Sequence, residues 1–106
     1  MSTSPYSFSV SGRIDASNAS KVESDLLAAI ETSGPALIIN LSALTYMSSA
    51  GLRVMLVAAK RAKAAGGKAV IQDAQPAVAE VLRMSGFDRI IPMAAGEAEA
   101  RGHFGG

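Results

Sequence analysis

The spacing of apolar and polar positions changes repeatedly along this chain, and each change predicts an element. Tyr6, Phe8 and Val10 alternate with Ser7, Ser9 and Ser11. That is the period of a half-buried strand near a sheet edge, ended by Gly12 and Asp15. From Ala19 the apolar positions Ala19, Val22, Leu26, Ala29 and Ile30 keep helical spacing, with Asp15 or Ser17 as cap and Gly34-Pro35 as stop. A second strand, from about Ala36 to Thr45, opens with the apolar run Leu37-Ile38-Ile39 of a buried strand. Leu52, Met55, Leu56 and Ala59 then mark a helix over about Ala50–Ala65, terminated by Gly66-Gly67. Its Lys60, Arg61 and Lys63 lie at the C-terminal end, where cations complement the dipole.

Ala69-Val70-Ile71 predicts a third buried strand. Pro76 suits the first residue of another helix, in which Val78, Val81, Leu82 and Ser85 share a face. Gly86 fits the left-handed position after it, so that Phe87 packs back on the last turn. Ile90-Ile91 predicts a short final strand, which Pro92 limits to an edge or an end. From Ala94 onward the chain is rich in Ala, Glu and Gly. Residues 94–106 therefore read as a poorly ordered tail, with at most a weak helix and disorder near Gly102–Gly106. Strands alternating with helices at these short intervals predict a largely parallel sheet with helical cover, in one α/β domain spanning 1–106.

Composition narrows the function classes. A chain of 106 residues, 49% of them apolar, can bury roughly two thirds of its unfolded surface. It has no cysteine, which removes disulfides, thiolate metal sites and cysteine nucleophiles together. The net charge is +1 and no basic stripe carries interleaved aromatics, so direct nucleic-acid binding has little support. Met1-Ser2-Thr3-Ser4-Pro5 has neither a basic start nor an apolar core, unlike a signal peptide. Apolar runs fall short of the roughly 20 residues that span a bilayer. The expectation is a cytoplasmic domain without membrane insertion.

The richest chemistry lies where the second strand meets its helix, at Ser48-Ser49-Ala50-Gly51. A hydroxyl at this junction stands at the N-cap, accepting a hydrogen bond from an unpaired N–H of the first turn. The same corner tolerates a phosphate, because free N–H groups and the helix dipole both favour negative charge. Ser49 is thus a candidate switch residue. The competing reading is a plain helix cap. Hydrolysis by a G-x-S-x-G elbow fails, since Met47 replaces the first glycine and the sole histidine, His103, lies in a glycine-flanked tail. No phosphate-binding loop occurs, because Gly66-Gly67-Lys68 follows a helix instead of opening one. Asp15, Asp25, Asp73 and Asp88 are spread over separate elements, which argues against a metal site. Asp73 reads as a helix-capping carboxylate, with a place beside the serine corner as the alternative.

The string Asn40-Leu41-Ser42-Ala43-Leu44-Thr45-Tyr46-Met47-Ser48-Ser49-Ala50-Gly51-Leu52 resembles the signature of STAS domains, specifically bacterial anti-sigma factor antagonists. Weaker matches are Ser11-Gly12-Arg13-Ile14-Asp15 and Gly86-Phe87-Asp88-Arg89-Ile90-Ile91, so the resemblance covers roughly residues 8 to 93. It implies a mixed, mostly parallel sheet of four to five strands with three to four helices. It also implies a regulator, not an enzyme. The family's phosphoacceptor falls on Ser49, with Ser48 the less favoured alternative. The implied partners are an anti-sigma factor that is also a serine kinase, and a phosphatase. ATP and magnesium would belong to the kinase, so no cofactor is expected here. The implied partner surface is Asp15, Ser17, Ser48, Ser49, Ala50, Gly51, Leu52 and Arg53. Ser48 and Asn40 stand where the family commonly has aspartate, which removes negative charge near the acceptor. Only about eleven residues precede Gly12, where the family has two strands. This implies a missing or very short strand and an open sheet edge, available for weak homodimerisation. The rival within the resemblance is a constitutive regulatory or scaffold subunit of a lipid-transport ATPase or a stress-signalling assembly.

Overall fold

A computed structural model describes residues 5–104, and the polar opening Met1–Ser4 and the closing Gly105-Gly106 lie outside it. Six strands and four helices follow in the order β1 (Tyr6–Ser9), β2 (Gly12–Ile14), α1 (Ala19–Ser33), β3 (Ala36–Asn40), β4 (Leu44–Met47), α2 (Ser49–Ala64), β5 (Lys68–Gln72), α3 (Pro76–Met84), β6 (Met93–Ala94) and α4 (Gly96–Gly102). A single 3₁₀ turn, Phe87–Arg89, separates α3 from β6. The main sheet has four strands in the order β1-β3-β5-β6, and β2 with β4 forms a second, two-stranded patch. Every described strand pair is parallel. This is the α/β architecture that the spacing predicts.

The two sheets belong to the same pair of chain segments. Ser9 pairs with Asn40, but beyond the break Arg13 pairs with Tyr46, so the later segment holds two residues more. One is taken up in a turn that Asn40 starts, where its Oδ1 accepts the Ser42 N–H at 2.9 Å and the Leu44 N–H donates to the Leu41 carbonyl at 3.0 Å. The other forms a bulge opposite Gly12-Arg13, where the partner residue steps from Leu44 to Tyr46. Short polar side chains that bond the backbone two residues on favour such turns over an unbroken strand. The single strand expected over Ala36–Thr45 is therefore two. The strand expected over Tyr6–Ser11 likewise ends at Ser9 and resumes at Gly12. The chain thus carries two short strand segments ahead of α1, of four and three residues, so the strand implied to be missing or very short is present and very short. The open edge remains, at β1.

β3 explains why its sequence is apolar without alternation. Leu37 and Ile39 face a core filled by Leu26 and Ile30 of α1, Val54 and Ala58 of α2, and Val78 and Leu82 of α3. Ile38 points to the other face, where Val70, Ala94 and Ala100 cover it and Phe104 packs alongside. A parallel strand covered on both sides has no solvent face to make polar.

The C-terminal region departs most from expectation. Gly86 adopts the left-handed conformation (φ 77°) as predicted, and Phe87 is buried. The chain then tightens into the 3₁₀ turn, with the Ile91 N–H donating to the Phe87 carbonyl at 2.8 Å. Ile90-Ile91 is thereby used as a turn, and the final strand is Met93–Ala94, after Pro92. The tail expected to be poorly ordered forms α4, whose Ala100 is fully buried against the sheet. One small apolar residue in two turns is enough to seat a short helix on Ile38 and Val70, which composition alone does not reveal. Gly105-Gly106, part of the segment expected to be disordered, lies outside the described residues.

Ala100→Glu places a carboxylate without a partner on that apolar face, which costs about 2 kcal/mol or more. Urea unfolding should show the loss, and an unchanged midpoint would mean that α4 does not seat on the sheet.

Candidate functional site

The serine corner is built where β2 and β4 end side by side. Ile14 is the register partner of Met47, so Asp15 and Ser48 leave the sheet together. The Ser48 N–H donates to the Ile14 carbonyl at 2.9 Å, tying the junction to β2. Ser48, in extended conformation (φ −87°, ψ 178°), is the N-cap of α2, and its Oγ accepts the Ala50 N–H at 3.2 Å. Its carbonyl takes the N–H groups of Gly51 at 2.9 Å and Leu52 at 3.1 Å. The cap expected of a junction hydroxyl is therefore Ser48. Ser49 is the first helical residue, exposed, with no hydrogen bond to its hydroxyl among the described residues.

Gly51 brings the helix start close to the strands. A Cβ added there would lie 2.6 Å from Met47 Cγ and 3.1 Å from Ile14 Cγ2. No side chain fits, so α2 rests directly on the β2–β4 pair. Gly51 is buried and shapes the corner from behind instead of offering a side chain to a partner, which corrects its place in the implied surface. Leu52 is half-buried and packs partly against the core. Ser49 and Arg53 are exposed, while Ser48 and Ala50 are half-buried.

Asp15 and Ser17 form the facing loop. The Asp15 Oδ1 accepts both the Ser17 hydroxyl at 2.5 Å and the Ser17 N–H at 3.0 Å. Arg13 lies 3.8 Å from the other carboxylate oxygen. The Ser17 hydroxyl, then its N–H, and further off the Arg13 charge hold the Asp15 carboxyl below its ordinary value, so it is ionised at neutral pH. Neither residue caps α1 in the usual sense. Asn18 holds that position, its side chain bonding the Asp15 N–H at 2.9 Å and the Arg13 carbonyl at 2.7 Å, which braces the loop against β2.

Asp73 does not reach this corner through a described bond. In left-handed conformation (φ 56°), it accepts the Gln72 side-chain amide at 2.9 Å and the Gly96 N–H at 2.8 Å. The Gln72 amide first, then the Gly96 N–H, lower its carboxyl. The capping reading thus holds, but for α4. His103 follows α4 and is half-buried there, and its carbonyl accepts the Lys68 ammonium at 2.8 Å. Among the described residues no three His, Asp or Glu side chains gather as metal ligands would, and no helix is long and apolar enough to cross a membrane.

One pair escaped the residue pattern. Arg13 and Tyr46 are register partners in β2 and β4, and the guanidinium lies 4.5 Å from the ring centroid. Tyr46 is exposed, so the pair presents a flat cationic and aromatic patch beside Asp15. An aromatic residue on the outward side of a strand just before the serines was the available signal. Between α1 and α2, a groove of about 430 Å³ opens next to Ala50, with Glu23 on one wall and Arg53 on the other.

The parallel sheet, the turn at Asn40 and a serine at the mouth of α2 define the class. The STAS domain family model matches residues 2–100, and this chain belongs to that family. It is 36% identical over 93 residues to BtrV of Bordetella bronchiseptica, whose description proposes an anti-sigma factor antagonist, with 88% of this chain and 80% of that protein covered. Among solved structures, an anti-sigma factor antagonist from Mycobacterium paratuberculosis superposes with a TM-score of 0.82 at 28% identity, covering 97% of this chain and 87% of that one. The unphosphorylated antagonist SpoIIAA superposes at 0.77 with 20% identity, covering 92% and 84%, and its phosphorylated form from Bacillus at 0.70 with 19% identity, covering 92% and 87%.

Gly51→Ala should destabilise the protein by about 1–3 kcal/mol, because the stiff Ile14 and the inner methylenes of Met47 cannot clear the space. The gain in helix propensity, at most about 1 kcal/mol, is smaller so near the helix start. Thermal or urea unfolding measures the difference, and a stabilised variant would contradict the close approach.

Proposed function

We propose that this chain is an anti-sigma factor antagonist that works in the cytoplasm by partner switching. In the unphosphorylated state the corner of Asp15, Ser17, Ser48, Ser49 and Arg53 docks on an anti-sigma factor that is also a serine kinase. That occupies the surface which otherwise holds a sigma factor, and the sigma factor is released. Phosphorylation of Ser49 ends the complex, and a phosphatase restores it. ATP and magnesium belong to the kinase, so this chain contributes the acceptor hydroxyl and the docking surface and no catalytic group.

The observation that carries the reading is the exposed hydroxyl of Ser49 at the first position of α2, beside a cap supplied by its neighbour. Ser48 is the poorer acceptor, because its oxygen already serves the Ala50 N–H. A phosphate on Ser49 adds about −1.5 to −2 charge where the helix dipole favours it, so it leaves the fold largely undisturbed. Its cost falls on the complex. A dianion forced into a fitted interface loses water or meets like charge, and a penalty of about 4 kcal/mol weakens binding roughly a thousandfold. The relatives support this reading by kind: they carry the anti-sigma factor antagonist name, and SpoIIAA is known in both phosphorylation states.

Incubation with the cognate anti-sigma factor and ATP, followed by mass-spectrometric mapping, should place one phosphate on Ser49 and none on a Ser49→Ala variant. Ser49→Asp should weaken binding to that anti-sigma factor at least a hundredfold by calorimetry. Unchanged affinity in Ser49→Asp, with no phosphate acquired, would instead identify a constitutive regulatory subunit.

A further inference from the structure

The far half of α2 borders a second surface whose charge the serine corner does not explain. A groove of about 580 Å³ runs between α2, the start of β5 and the 3₁₀ turn. Its apolar lining includes Leu56, Ala59 and Ala69, with Ile90 exposed at 55% on the turn side. Four cations surround it: Lys60, Lys63, Lys68 and Arg89. These are four of the ten Lys and Arg residues in a chain whose net charge is only +1, and no Asp or Glu lines the groove.

Among the described residues the cations are not consumed by ion pairs. The described ion pairs use Arg13, Lys21, Arg61 and Arg101 and none of these four. Lys68 gives one hydrogen to the His103 carbonyl, a neutral acceptor. The α2 dipole accounts for Lys63 in the last turn, but Lys68 stands on a strand and Arg89 on a separate turn. Four like charges converging on an apolar cleft repel one another and concentrate a positive potential inside it. An anionic occupant relieves the repulsion and answers the potential.

We infer that this groove docks an acidic, amphipathic segment of a partner protein, whose apolar side chains enter between the cations while its carboxylates meet them. A protein segment fits both halves of the site. Nucleic acid fits only one, since no aromatic side chain lines the groove to stack a base, and phosphates would leave the apolar floor unfilled. Along α2, at about 1.5 Å per residue, the groove begins roughly 10 Å from Ser49. It is therefore a surface separate from the switch, and the inference does not rest on the phosphorylation reading.

The test is a titration of the full, isotope-labelled chain followed by amide NMR shifts. The probe is a synthetic peptide of about a dozen residues bearing Glu and Leu at helical spacing, in roughly physiological salt. Saturable shifts should centre on Lys60, Lys63, Lys68, Arg89 and Ile90. A Lys60→Glu, Lys63→Glu double variant should bind at least tenfold more weakly. So should a probe with Ser in place of Leu, and Ile90→Ser should lose several-fold while every variant keeps its native spectrum. Shifts centred elsewhere, or no saturation, would overturn the inference. It would also fall if the leucine-free peptide, oligothymidylate or phosphatidylserine vesicles bound as tightly as the probe. Groove resonances that move with protein concentration alone would make the occupant a second copy and overturn it equally.

Discussion

The absence of a side chain at Gly51 is the constraint on which the rest of the corner depends. It lets the first turn of α2 sit against Ile14 and Met47, with an added Cβ only 2.6 Å from the nearest Met47 atom. Because α2 starts there, the Ser48 N–H reaches the Ile14 carbonyl at 2.9 Å and the Ser48 hydroxyl is committed to capping. Ser49 is then turned outward by the geometry of the first helical residue. A residue with no side chain and a residue locked as a cap thus leave one hydroxyl free.

The electrostatics of the corner favour modification without refolding. The opening of α2 presents free N–H character, and Arg53, four residues after Ser49, is its exposed neighbour one turn along the helix. Against these stands Asp15, ionised and held by Ser17 and Arg13 in the facing loop. Ser48, beside Ser49, adds no negative charge of its own. A partner docked on the proposed surface would meet a mixed patch of hydroxyls, one carboxylate and the Arg13–Tyr46 pair. Its charge balance changes sharply when a dianion arrives.

Much of this was legible in residue spacing. The helical positions of Leu26 and Ile30, and of Val78 and Leu82, turn toward one core. On α2 only Met55 of the expected face is buried, and Leu52, Leu56 and Ala59 lie at the margin of the Val54 and Ala58 side. The run Leu37-Ile38-Ile39 announced a strand with two covered faces. The serine junction was visible as a change of period at Ser48-Ser49, although period alone does not decide which serine caps and which becomes helical. Local hydrogen bonds were less legible. Asn40 breaks one long strand into two by bonding the Ser42 N–H. Asn18, not Asp15 or Ser17, anchors the start of α1 through bonds to Asp15 and Arg13. Ile90-Ile91 looked like a strand because it is apolar, but Gly86 and the 3₁₀ turn commit it to a corner. The α4 helix reads from sequence as weak at most, because its seating depends on Asp73, which is distant in sequence, and on a single alanine.

The central claim is that Ser49 accepts a dianion while its own fold stays put. It is tested most directly by placing phosphoserine at position 49 during synthesis and comparing amide NMR spectra with the unmodified chain. The account predicts shifts confined to the start of α2 and the facing Asp15 loop, with the resonances of β3, β5 and α4 unmoved. Shifts spread through those strands, or loss of dispersion, would contradict it.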